Sequence, residues 1–186
     1  IISFLVIMKK ELSALDLHYL IPELASILIG GKVDRIYHPK REEIILQFHV
    51  PNVGKKILRV QIPDALYLSE FKGEMPNKPG GFCMFLRKHL ESSRLREINQ
   101  VGFERIMRLL LEKKDGFYEV YIELITPGNF IVCKDSKILA PLNLKKWKSR
   151  DILPGREYAW PQREYSPHNI DLEALNKLII QKKDIV

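Results

Sequence analysis

Between positions 13 and 29 apolar residues recur at Leu17, Leu20, Leu24, Ile27 and Leu28, the spacing of one helix face. Ser13 with Asp16 three residues on is a near relative of the capping box, and Gly30-Gly31 closes the segment. Four short runs follow, KVDRIYHP, EEIILQFHV, KKILRVQIP and ALYLSEF, punctuated by Pro, Gly and Asn, and they predict a β-meander. A basic loop, KGEMPNKPGG, then leads into FCMFLRKHLESS. This is a second helix with Phe82, Phe85, Leu86, His89 and Leu90 on its apolar face. Arg87, Lys88, Glu91 and Arg94 fall on the other side, where cations near the C-terminal end also suit the helix dipole.

Residues 98–116, INQVGFERIMRLLLEKKDG, read as a strand running to a tight Asp115-Gly116 turn. At period two, Arg105 interrupts a stripe of Phe103, Met107, Leu109 and Leu111, and Glu104 projects to the opposite face. Both can serve one site only if Gly102 marks a bend; the structural alternative is that Arg105 pairs with Asp16. GFYEVYIELIT returns as the partner strand, and NFIVCKD with KILAPL forms a further hairpin about Asp135-Ser136. Residues 143–168 read as an extended, irregular strap with a cationic run at Lys145, Lys146 and Lys148. Its Trp160-Pro161 corner is expected to be a packing anchor. Residues 169–182 read as a closing amphipathic helix.

The expected architecture is therefore α+β, an antiparallel β-sandwich or flattened barrel with two principal helices. Length supports one domain with a sizeable core: 186 residues, 46% of them hydrophobic. The balance of 30 Lys+Arg against 23 Asp+Glu gives +7, which favours an anionic partner such as nucleic acid or a membrane surface, although a solvated basic surface explains it too. Cys83 and Cys133 stand alone and the five histidines are scattered, so neither a disulfide framework nor a metal centre is expected. Residues 1–7 are almost wholly apolar but shorter than the ~20 residues of a membrane span; they read as an upstream extension before Met8-Lys9-Lys10, with a short edge strand as the alternative. No Walker A loop, G-x-G-x-x-G, G-x-S-x-G or H-E-x-x-H is present, so no cofactor and no enzymatic role is expected. Cations interleaved with aromatics are instead the ingredients of nucleic-acid binding.

Four blocks occur in order: MKKELSALDL, GGKVDRIYHP, GGFCMFLRKHLESSRLREINQVGFERI and LPGREYAWP. Together they resemble the N-terminal domain of the NFACT family, ribosome-associated quality-control factors also known as fibronectin-binding-protein-A-like proteins. The resemblance spans residues 8–165 and implies that 166–186 begin a following helix-hairpin-helix domain. It implies a fold similar to the N-terminal domain of formamidopyrimidine-type DNA glycosylases. It also implies a cytoplasmic factor that binds tRNA, alanyl-type in particular, on a large ribosomal subunit carrying a stalled peptidyl-tRNA. A ubiquitin ligase or other quality-control factor joins the implied partners; a membrane does not. Template-free tailing of the nascent chain is the implied outcome, with the chemistry left to the ribosome.

The family's acidic residue in SALD falls on Asp16, and its acid-arginine pair falls on Glu104 and Arg105, all three implied to contact tRNA. Glu104 stands where many relatives carry Asp, which moves the carboxylate by one methylene. Arg87 and Lys88 match the family's basic helix and are candidate RNA contacts, as are Arg94, Lys145, Lys146 and Lys148. Two other readings stay open. A glycosylase or lyase lacks its N-terminal proline nucleophile here, since neither Ile1 nor Met8 is followed by Pro. A fibronectin-binding adhesin lacks an export signal in this sequence.

Overall fold

The computed structural model describes residues 11–146, 150–161, 171–173 and 176. The closing helix expected at 169–182 and the candidate contact Lys148 lie largely or wholly outside them. Helix α1, Ala14–Leu28, is capped as the sequence implies, and here the box is complete. Ser13 Oγ accepts from the Asp16 amide at 3.2 Å, and the Asp16 carboxylate accepts from the Ser13 amide at 2.6 Å and its hydroxyl at 2.7 Å. Its buried stripe is Ala14, Leu17, Ile21, Leu24 and Leu28.

A meander follows: β1 Lys32–Lys40, β2 Glu43–Val50, β3 Gly54–Gln61 and β4 Ala65–Ser69. Helix α2, Gly81–Leu90, opens a second meander of β5 Arg94–Gln100, β6 Ile106–Lys113, β7 Gly116–Glu123, β8 Asn129–Lys134 and β9 Lys137–Pro141. All nine join one antiparallel sheet in the order β4-β3-β2-β1-β5-β6-β7-β8-β9, so the strands form a single ladder with β4 and β9 at its edges.

Each half is thus a helix followed by a meander, and the halves meet through the first strand of each. That junction is narrow. Lys32 opposite Arg94 is its one register pair, and residues 30–33 add four backbone hydrogen bonds of 2.8–2.9 Å to Ser92, Ser93 and Leu95. One core nevertheless runs through both halves, joining Leu17, Leu24, Phe48, Leu58, Leu86, Leu109 and Phe130. The halves also touch at their turns: a Cβ on Gly128, at φ +76°, would come within 2.1 Å of Ile62 Cγ2.

Two elements depart from expectation. Arg94 is not on α2: the helix ends at Leu90, Ser92 takes a left-handed φ of 71°, and the chain re-enters the sheet. Residues 98–116 are likewise not one strand but the end of β5, a turn, and β6. The strap is also more ordered than predicted, with β10 Lys145–Lys146 pairing to β11 Asp151–Ile152. It covers a second cluster, Val101, Ile106, Tyr121, Ile131, Cys133 and Ile138.

The strap's anchor is Tyr158 rather than Trp160. Tyr158 stacks on Tyr121 with 3.8 Å between ring centroids and donates to Glu123 at 2.8 Å, whereas Trp160 stays 45% exposed. Arg150 closes on the same carboxylate with two bonds of 2.7 and 3.0 Å, which compensates a Glu123 side chain that is only 2% exposed. Burial, foremost, and the adjacent Glu123 charge push the Tyr158 phenol far up.

Replacing Gly128 by Ala combines a side-chain clash with a strained φ, and should cost about 3 kcal/mol. Urea unfolding monitored by circular dichroism measures it.

Candidate nucleic-acid interface

The bend required at Gly102 is present. Gly102 takes φ +56° in the turn 101–105, which opens with the Val101 amide donating to Ile106 O at 3.0 Å and the Glu104 amide to Val101 O at 3.1 Å. Glycine adopts that φ most readily, so the turn sits where the sequence offers it. Glu104 and Arg105 therefore lie in a β5–β6 connector, before β6 begins, and strand alternation does not govern where they point.

Gln100 brings this turn to α1. Its side-chain amide donates to Ala14 O at 2.9 Å and to Glu104 O at 3.0 Å, tying the first turn of the helix to the connector. The segment before α1 and the β3–β4 turn complete the corner, with the Leu12 amide donating to Asp64 O at 2.8 Å. Asp16, Glu104 and Arg105 are thus gathered at one corner of the molecule from widely separated positions.

Their environments differ. Arg105 does not pair with Asp16: its Nη1 donates to Glu11 Oε2 at 3.1 Å and its Nη2 to Pro63 O at 3.2 Å. Among the described residues two of its five N–H donors are engaged and Nε is buried, while the side chain is 23% exposed, so the guanidinium end retains N–H capacity for an incoming acceptor. Glu104 is buried, at 8% exposure, which leaves Arg105 as the more accessible member of the pair. Asp16 is committed to the cap. Beside them the Phe103 ring lies 5.7 Å from His18, which in turn meets the largely exposed Tyr19 edge-on at 5.3 Å. These aromatics were not singled out from sequence; the signal available was Phe103 next to the acid-arginine pair and His18-Tyr19 two positions past Asp16.

Behind the turn, on the strap side, lies a cavity of about 480 Å³ lined by Asn99, Gln100, Gly102, Arg108, Tyr121 and Trp160. Its cation is satisfied internally, Arg108 bonding Glu119 at 3.0 Å and Glu97 at 3.1 Å.

The other candidate contacts are dispersed. Arg87 holds α2 to the sheet, its Nε donating to Ile36 O at 2.9 Å and its guanidinium lying 5.8 Å from the Tyr37 ring centre and 3.8 Å from Glu91. Lys88 is exposed. Arg94 donates to Gly30 O at 2.8 Å at the far end of β5, about 20 Å from Gln100 at ~3.3 Å per residue. Lys145 and Lys146 form β10. No group of three or more His, Cys, Asp or Glu placed to hold a metal occurs among the described residues, and no described helix is long and apolar enough to cross a membrane.

Fold and corner together define an antiparallel α+β domain that gathers a part-buried arginine, two carboxylates and aromatics between a helix N-terminus and a hairpin turn. The chain matches the family model of the NFACT N-terminal and middle domains over residues 13–186. It is 34% identical over 171 residues to the archaeal Rqc2 homolog aRqcH of Methanocaldococcus jannaschii, covering 88% of this chain and 25% of that protein. It is 34% identical over 137 residues to ribosome quality control complex subunit 2 of Saccharomyces cerevisiae, covering 73% of this chain and 13% of that protein. Among solved structures, the N-terminal domain of fibronectin-binding protein PavA from Streptococcus pneumoniae superposes with a TM-score of 0.76 at 26% identity, covering 90% of this chain and 68% of that one. The chain belongs to the NFACT family, and it spans a quarter or less of the length of these two curated relatives.

Asp16→Ala removes both bonds to Ser13 and should lower stability by about 1 kcal/mol. Arg105→Gln removes an ion pair whose partner Glu11 is 55% exposed, and should cost less than about 1 kcal/mol. Thermal and urea unfolding of the two variants measure both values.

Proposed function

We propose that this chain is the tRNA-handling domain of a cytoplasmic ribosome-associated quality-control factor. It binds tRNA, alanyl-type in particular, on a large ribosomal subunit carrying a stalled peptidyl-tRNA, and supports template-free tailing of the nascent chain. Asp16, Glu104 and Arg105 form the loop-contacting corner, and the ribosome performs the chemistry, so the chain itself is not an enzyme. A ubiquitin ligase or other quality-control factor is the further partner in this reading. The nucleic-acid-handling scaffold is read as the counterpart of the N-terminal domain of formamidopyrimidine-type glycosylases without their proline nucleophile.

The observation that carries the reading is the Gln100 clamp, which unites the helix N-terminus and the acid-arginine turn at one exposed corner. Arginine can fork onto a phosphate or stack on an unpaired base, and Phe103, His18 and Tyr19 offer further rings beside it. The names of the relatives, ribosome quality control subunits in yeast and in human, agree with it.

A second reading, binding of fibronectin or fibrinogen, is favoured by the names of the solved relatives from Streptococcus pneumoniae and Streptococcus suis. The two separate in solution. tRNA binding should weaken steeply between about 50 and 200 mM salt. Arg105→Glu should weaken it about tenfold or more, the ~1–3 kcal/mol of a lost arginine contact, while lowering stability by only about 1 kcal/mol, so that the chain stays folded. Normal tRNA binding by that variant, together with salt-resistant capture on immobilised fibronectin, would support the second reading instead.

A further inference from the structure

At the end of the sheet away from that corner, three cations and a histidine stand in one row. Lys55 of β3 lies opposite His49 of β2, His49 opposite Lys32 of β1, and Lys32 opposite Arg94 of β5. Directly opposed residues point to the same face of a sheet. All four are exposed, while their sequence neighbours Val33, Phe48 and Leu95 point into the core. At ~4.8 Å between strands the row is about 14 Å long. Three of its members, Lys32, Lys55 and Arg94, carry charge.

On the Arg94 side the flanking acids are paired. Its next position, Glu112 opposite Arg94, is paired with Arg96, and nearby Asp115 is held by Lys134 at 2.8 Å. Lys113 and Lys114 join Lys32, Ser92 and Arg94 around an open depression of about 390 Å³. Lys113 is fixed by bonds of 2.8 and 3.2 Å to the Lys88 and His89 carbonyls, and Arg94 by one terminal nitrogen on Gly30 O, so the other guanidinium donors face out. Lys32, Lys55 and Lys114 make no ion pair among the described residues.

We infer that this row is a second nucleic-acid contact, a binding surface for the sugar-phosphate backbone of double-stranded RNA. Cations mounted on adjacent strands have a set spacing, which suits a repeating linear array of phosphates. An RNA duplex is A-form and carries its phosphates at regular intervals along each strand, so a row about 14 Å long can meet more than one of them. A lipid surface would select net charge alone and gain nothing from the alignment. The surface stands on charge and strand register only, independently of the tRNA reading, and lies about 20 Å along β5 from the Arg105 corner. A chain with both would hold a loop at one end and a duplex at the other.

The test uses the 186-residue chain and a blunt RNA duplex without loops, with binding followed by fluorescence anisotropy across a salt series. Neutralising Lys32, Lys55 and Arg94 together to Gln should weaken duplex binding at least tenfold at low salt. It should also flatten the log–log salt dependence by about 2–3, roughly one per lost cation. Each single Lys→Gln variant should flatten it by about one, which keeps the test valid if the triple variant unfolds. Arg105→Gln should leave duplex binding within twofold, so a failed tRNA reading and a failed duplex surface give different results. Unchanged duplex affinity in folded variants overturns the inference. So does loss of binding only to phosphatidylserine vesicles, which would assign the row to a membrane.

Discussion

The short backbone ladder between residues 30–33 and 92–95 is the constraint on which the molecule turns. Helix α1 ends at Leu28 and α2 at Leu90, each just before the strand that enters this ladder, so two helix-plus-meander halves are joined where their first strands begin. Main-chain bonds carry the junction, and they hold both helices against one sheet. The common core follows, because Leu17 and Leu24 of α1 and Leu86 of α2 are brought over strands of both halves. The turn contact of Gly128 with Ile62 then fixes how the halves meet at the other end.

From that frame come two polar ends of different character. Since α1 lies along β5, its N-terminus is set against the 101–105 turn, and one glutamine amide suffices to lock them together. That end presents a partly satisfied arginine with buried or capping carboxylates around it. The opposite end, at the junction itself, presents aligned cations, with Glu112 and Asp115 beside them paired to Arg96 and Lys134. A single antiparallel register thereby sets both the separation and the chemistry of the two ends.

Much of the fold was legible because it is local. The capping box of Ser13 and Asp16, the alternating strands and the turns at Asp115-Gly116 and Asp135-Ser136 depend on residues within a few positions of each other. Other features depend on distant partners. Arg94 reads as helical when extrapolated from the α2 period, yet a left-handed Ser92 returns the chain to β1. The bidentate Arg150–Glu123 pair and the Tyr158–Tyr121 stack unite residues more than twenty positions apart, and nothing in the strap's composition names their partners. At the candidate site, periodicity posed the right condition, a bend at Gly102. The pairing of Arg105 with Glu11 and Pro63 across the corner was outside its reach.

Sequence by itself determined the two helices, the antiparallel strands, the basic charge and the family blocks, because propensity, hydrophobic period and turn chemistry act over a few residues. Tertiary structure alone decided that the strands make one sheet in two halves, that Glu104 is buried while Arg105 stays accessible, and that Lys32, His49, Lys55 and Arg94 align. The sheet and the aligned row follow from strand register, which is set by core packing across the whole chain, and the fates of Glu104 and Arg105 follow from the turn that Gln100 holds against α1.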